Sequence, residues 1–220
     1  VPIMIVFYVV GAIVILITNI GSVPAALAQI FHDAFTGSAA TGGFVGSVLI
    51  IAVQFGVARG IFSNESGMGS AAIAAAAART SHPVRQGLVS MTQTFIDTII
   101  VVTMTGLVIV TTGAWSAVDE SGAQISASVM TGEAFSHGLP GQWGHIVVTI
   151  ALVMFAFSTI LGWAYYGEKC WEYLVGTAVE VPYRVLWTIF VLVGAVTQLD
   201  FVWLVADTLN AFMALPNLIS

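Results

Sequence analysis

Charge is what this sequence has least of. Asp, Glu, Lys and Arg make up 7% of its 220 residues, and five bases stand against eleven acids, a formal net charge of -6. So few bases cannot neutralise a phosphate backbone, which argues against nucleic acid as a partner. Cysteine is nearly absent. Cys170 stands alone, so there is no internal disulfide and no multi-cysteine metal site, and it reads as a small apolar filler near a helix end. Enzyme signatures are missing as well: there is no G-x-S-x-G and no H-E-x-x-H, and Gly67-Met68-Gly69 lacks the third glycine and preceding strand of a nucleotide fingerprint. His32 has no second ligand at suitable spacing and reads as a solvated surface residue. What fills the chain instead is apolar: 58% hydrophobic residues and a mean hydropathy of +1.00 predict an all-α, polytopic membrane protein rather than a soluble core.

Val1 already lies inside an apolar run, without an initiator methionine or a basic start, and Val1 to Ile20 is too long for a signal peptide. The chain therefore reads as a fragment, a single membrane domain over residues 1–220. Its membrane segments are expected near 3–20, 44–78, 86–111, 146–166, 185–198 and 201–215. Between the first two, Pro24 to Phe35 alternates apolar and polar groups at helical spacing, with Gln29, His32 and Asp33 together, which suits a short interfacial helix. The connection 79–85 carries Arg79, His82 and Arg85, and the connection 167–184 carries Lys169 and Arg184. Two spans separate them, so they share a side, which the positive-inside rule makes cytoplasmic. The connection 112–145, with Asp119, Glu120 and Glu133 and no Lys or Arg, then falls outside.

That parity requires residues 44–78 to cross once, and their length raises a problem. One continuous helix from Phe44 to Ala78 would be roughly 50 Å long against a hydrocarbon core of about 30 Å, yet two full spans need about 40 apolar residues. A single crossing interrupted near its middle satisfies both limits. The interruption falls on Gly60-Ile61-Phe62-Ser63-Asn64-Glu65-Ser66-Gly67-Met68-Gly69-Ser70. Non-helical backbone at membrane depth is tolerated only where it is buried in protein or lines a cavity, so the break implies a site. The upstream half-helix would offer carbonyls to cations and the downstream half N–H groups to anions, enough for a zwitterion or a coupled ion. Arg59 and Glu65, ionisable groups at this depth, favour a functional break over a plain glycine hinge.

Two further spans carry polar groups. Asp97 sits inside an apolar helix, where a carboxylate needs a cation such as Arg59 or Na⁺, or a proton. Phe155-Ala156-Phe157-Ser158-Thr159 places two adjacent hydroxyls one turn beyond Phe155. Such oxygens suit a small hard cation, although Ser and Thr in membrane helices often bond back to their own backbone. Trp163, one turn past Thr159, is placed to close over a small side chain or simply to pack.

The run Gly60 to Ser70 resembles the alanine or glycine:cation symporter family, whose pattern runs close to G-x-F-S-N-E-A-G-x-G-S-A-P. Ser66 stands where alanine is usual and Ala72 where proline is usual. Phe155 through Ser158-Thr159, Gly162-Trp163 and Tyr165-Tyr166-Gly167-Glu168 is similar to the same family, as is His82-Pro83 with Gln86-Gly87. The resemblance implies a leucine-transporter-like fold of two inverted five-helix repeats, of which this chain would hold about half. It also implies Na⁺-coupled uptake of a small neutral amino acid by alternating access, with H⁺ as the less favoured coupling ion. Ser63, Asn64, Glu65, Gly67, Met68, Gly69, Ser70 and Trp163 would surround the substrate. Ser158 and Thr159, with Phe155, Ser63 and Asp97, would surround Na⁺, and the missing N-terminal half would supply the rest of both sites. Two other classes stay open: an ion channel component with the break as a constriction, and a membrane enzyme using Glu65 and Asp97 as an acid/base pair.

Overall fold

A computed structural model describes residues 2–36, 45–119, 122, 124–141 and 143–219. Val1, Phe44 and Glu120 lie outside the described residues. The described chain is helical almost throughout: α1 (Pro2–Thr18), α2 (Val23–Thr36), α3 (Val45–Asn64), α4 (Ser70–Ala76), α5 (Pro83–Thr94), a π-helical segment (Phe95–Val102), α6 (Thr103–Thr111), α7 (Ala127–Gly138), α8 (Trp143–Val175), α9 (Glu180–Val196) and α10 (Leu199–Ile219). Among the described residues the only extended pairing is an isolated bridge between Val118 and Gln124. Pro83–Thr111, Trp143–Val175, Thr177–Val196 and Leu199–Ile219 are each long and apolar enough to cross a membrane. The chain is an all-α, multi-pass membrane protein.

The contacts divide the chain into two units. The first comprises Val1–Arg59 and Thr94–Phe155. Here α1, α6 and α7 pack together around Tyr8, Ile15, Val108, Phe135 and Val148. The Tyr8 ring stacks on Phe135 at 5.2 Å and meets Phe155 edge-on at 6.1 Å. Small residues let the backbones approach, as they must where lipid provides no hydrophobic drive between helices. A methyl group on Gly11 would stand 3.1 Å from the Phe135 ring, and one on Gly138 would stand 2.6 Å from Ile15. The path from Ile5–Thr18 into Ile20–Asp33 bends by 77°. Thr18 and Asn19 turn their side chains back onto the Ile15 carbonyl, at 2.9 Å each, which seals the end of α1 before α2 begins. The stretch between α6 and α8, read above as a plain connection, contains α7, and Phe135 of that helix is completely buried.

The second unit comprises Gly60–Gln93 and Ala156–Ser220. No residue of α9 or α10 is buried. Their exposed Leu, Val, Ile and Phe side chains suit helices whose surroundings are lipid or further protein rather than water. Helix α8 runs nine residues past the expected end at Tyr166, because Lys169 and Glu172 pair at i,i+3 and Arg184 reaches across from α9 to Glu168. At 33 residues it is about 50 Å long, so its polar end projects beyond a core of about 30 Å.

Candidate functional site

The break is short and its backbone explains it. Helix α3 closes with the Ser66 N–H donating to the Ile61 carbonyl at 3.2 Å, the wide 6→1 bond of a Schellman ending. That ending requires a left-handed residue just past the helix, normally glycine, and here Glu65 occupies it with φ +53°. Gly67 and Gly69 follow at φ +74° and +79°, and Gly69 is the residue from which α4 starts. Two glycines and one forced glutamate thus turn the chain within five residues. The Gly60 and Ile61 carbonyls are used internally, the first by the Asn64 amide at 3.0 Å, so any carbonyls offered to a cation come from later in the break.

Side chains from the same unit hold this turn. Ser70, only 2% exposed, donates from Oγ to Glu65 Oε2 at 2.8 Å, bridging the break from one half-helix to the other. The Tyr166 hydroxyl of α8 lies beside the same carboxylate. From α10, Asn217 Nδ2 donates to the Gly67 carbonyl at 3.1 Å. Met68 is 4% exposed and anchors the middle of the turn by burial. Phe62, in the last turn of α3, meets Trp203 edge-on at 5.7 Å.

Beside the break is a cavity of about 410 Å³ lined by Phe62, Thr159, Trp163, Trp187, Asn210 and Met213, among others. Thr159 and Trp163 therefore share one wall, as expected of residues one turn apart, and Trp163 packs edge-on against Tyr166 at 5.7 Å. Ser158 is half-buried on the same helix. In the first unit, Asp97 and Phe155 line another cavity, of about 310 Å³, with Tyr8, Val101, Thr131 and Leu152. Asp97 lies in the π-helical segment, a departure from regular helix of the kind that often marks functional positions. Among the described residues no three His, Cys, Asp or Glu side chains cluster as metal ligands.

The profile of the sodium:alanine symporter family matches residues 1–220. The chain belongs to that family. It is 52% identical over its whole length to an uncharacterized transporter of Haemophilus influenzae, covering 47% of that protein. It is 50% identical, again over its whole length, to the sodium/alanine symporter AgcS of Methanococcus maripaludis, covering 47% of it. It is 36% identical to the amino-acid carrier protein AlsT of Bacillus subtilis, covering all of this chain and 45% of AlsT. The chain spans about half the length of the curated relatives it matches. Family members are transporters rather than enzymes.

Within the family motif, Ser63 and Asn64 sit on the last turn of α3, Glu65, Gly67, Met68 and Gly69 in the turn, and Ser70 at the start of α4. Of the residues expected around Na⁺, Ser63, Ser158 and Thr159 belong to the second unit and Asp97 and Phe155 to the first. Tyr166 and Asn217 were not picked out as polar site residues. Tyr166 has the look of an aromatic in an interfacial run, and Asn217 lies past the expected end of the last span, directly after Pro216. An amide side chain at the end of a long apolar helix was the available signal for Asn217.

Proposed function

We propose that the protein of which this chain forms a part couples inward Na⁺ movement to uptake of a small neutral amino acid, alanine or glycine, by alternating access. The observation that carries this is the break itself: a five-residue left-handed turn between α3 and α4, with Thr159 and Trp163 on the wall of a cavity that Phe62 also lines. Backbone groups of Ser63 to Ser70, with Asn64, Glu65, Gly67, Met68 and Gly69 between them, bind the substrate, and Trp163 closes over its side chain. Ser158 and Thr159 contribute oxygens to Na⁺, with Ser63, Phe155 and Asp97 as the further candidates that the family resemblance and the carboxylate within an apolar helix suggest. The half of the relatives' length not spanned here supplies a first broken helix and completes an inverted repeat, and this chain alone is inactive. The membrane is a prokaryotic inner membrane, with loops 79–85 and 167–184 cytoplasmic and 112–145 outside.

Uptake of labelled alanine and glycine into proteoliposomes holding the full-length protein, under an inward Na⁺ gradient and then with choline in place of Na⁺, tests this. Accumulation that collapses in choline supports it. Uptake that persists in choline but needs a proton gradient replaces Na⁺ with H⁺, and no uptake under any gradient overturns it.

A further inference from the structure

The Glu65 carboxylate is oddly placed for a substrate ligand. Its backbone adopts the left-handed conformation, which is strained for a non-glycine residue, at a helix ending where glycine is the ordinary solution. A side chain kept at such a position has work that glycine cannot do. Here Ser70 Oγ donates to it at 2.8 Å from across the break, and the Tyr166 hydroxyl of α8 lies beside it. A carboxyl group offers oxygens to both hydroxyls. Two residues further on, Asn217 bonds the Gly67 carbonyl, and its Oδ1 lies 3.1 Å from where a methyl group on Gly69 would stand.

We propose that the Glu65 side chain is a clasp rather than a substrate ligand, and that Tyr166 and Asn217 are positioning residues that fix the shape of the break from α8 and α10. Glu65 ties the end of α3 to the start of α4 through Ser70, and ties both to α8 through Tyr166. Asn217 holds the opposite side of the turn, at Gly67. With the clasp closed, the backbone groups of the break stay in one arrangement. With it open, the binding-competent arrangement is one of several, and apparent affinity falls by the fraction of time it is populated. The kinetic part of this rests on the transport reading above; the clasp itself does not.

The test uses the full-length protein in membranes, in a background free of native cysteines, with Met68→Cys as the reporter, since Met68 is buried in the turn and is reached only when the turn loosens. Tyr166→Phe and Asn217→Ala should each speed maleimide labelling about tenfold, the size of one hydrogen bond to a charged or buried partner. Adding Tyr166→Phe to Glu65→Gln should add nothing further, because the two act as one unit. In uptake, Tyr166→Phe and Asn217→Ala should raise KM for alanine and glycine alike, by a similar factor. Labelling rates that stay at the parent value in both variants overturn the proposal, as does a KM increase confined to Glu65→Gln. Should Tyr166→Phe fail to insert, the Asn217→Ala labelling rate decides alone. If the parent takes up neither amino acid, the transport reading falls, and the labelling rates still decide the clasp.

Discussion

Gly144 lies so close to Phe135 that a methyl group on it would stand 2.3 Å from the Phe135 carbonyl oxygen and 2.5 Å from the Ser136 Cα. Both are backbone atoms of α7, which cannot swing aside as a side chain can. Gly144→Ala must therefore push the start of α8 away from α7, at a cost in the range of about 1–3 kcal/mol for overpacking. Gly132 is the control, because a methyl there meets only Val148 Cγ1, at an ordinary 4.0 Å. Gly132→Ala should be neutral or slightly stabilising through its better helix propensity. Thermal unfolding of the two variants in detergent checks the pair, and equal melting temperatures would remove the argument for tight α7–α8 contact.

Tyr8 and Thr105 make the polar contact of the same unit, 2.7 Å between hydroxyls. Thr105 spends its own proton on the Val101 carbonyl at 2.9 Å, so Tyr8 is the donor. Tyr8→Phe keeps the ring stacked on Phe135 and leaves no unpaired donor, since Thr105 is still bonded through Val101. The loss should be at the lower end of about 0.5–1.5 kcal/mol. Thr105→Val strips the acceptor from a Tyr8 hydroxyl that is largely buried and should cost more. A larger loss from Tyr8→Phe than from Thr105→Val would reverse the assignment of donor and acceptor.

The contrast between these contacts and the break shows what was legible beforehand. Membrane class and helical fold follow from composition, because the solvent demands apolar helices wherever the chain crosses. The break was legible too, since 35 residues are too many for one span and too few for two. Glu65, Ser63 and Thr159 could be singled out because a polar side chain in an apolar run is conspicuous. Tyr166 and Asn217 could not, because their roles depend on which helices pack beside the turn, and hydropathy does not encode that. The same holds for the π-helical segment around Asp97, whose Phe-Ile-Asp-Thr-Ile-Ile-Val-Val is as compatible with a regular helix. Helix α7 was missed for a different reason: its mixed Gly, Ser, Thr and Glu composition resembles a connection, and Phe135 is buried only through its tertiary partners.

At the far end of α8, Arg184 grips Glu168 with two prongs, Nε to Oε2 at 2.6 Å and Nη2 to Oε1 at 2.9 Å. The guanidinium makes this fork and an ammonium cannot, so Arg184→Lys should lose as much as Arg184→Gln. Because Arg184 is 61% exposed, solvent screens the pair and the fall in melting temperature should not exceed about 2–4 °C. Gly167, beside Glu168, is the stricter requirement. A methyl there would stand 2.0 Å from the Tyr183 hydroxyl, which must move and disturb the stacking of Tyr183 on Trp187 at 6.1 Å. Removing that hydroxyl with Tyr183→Phe should recover part of the stability lost in Gly167→Ala. No recovery in the double variant would place the clash elsewhere.

The cation is best tested on Thr159, because its neighbours allow a clean substitution. Thr159 is exposed on the wall of the cavity that Trp163 and Phe62 share, so its side chain can be changed without repacking a core. Thr159→Val keeps the branched shape and removes only the hydroxyl. If that oxygen ligates Na⁺, the Na⁺ concentration for half-maximal uptake should rise by at least about tenfold, equivalent to ~1.4 kcal/mol of lost cation binding. Ser158→Ala should act in the same direction, and Thr159→Ser, which restores the oxygen on a smaller side chain, should recover most of the affinity. A purely structural role predicts the reverse order, with Val tolerated and Ser harmful. Sodium activation curves for the three variants of the full-length protein, at saturating amino acid and matched membrane content, separate the two, and an unshifted curve for Thr159→Val would exclude Thr159 as a ligand.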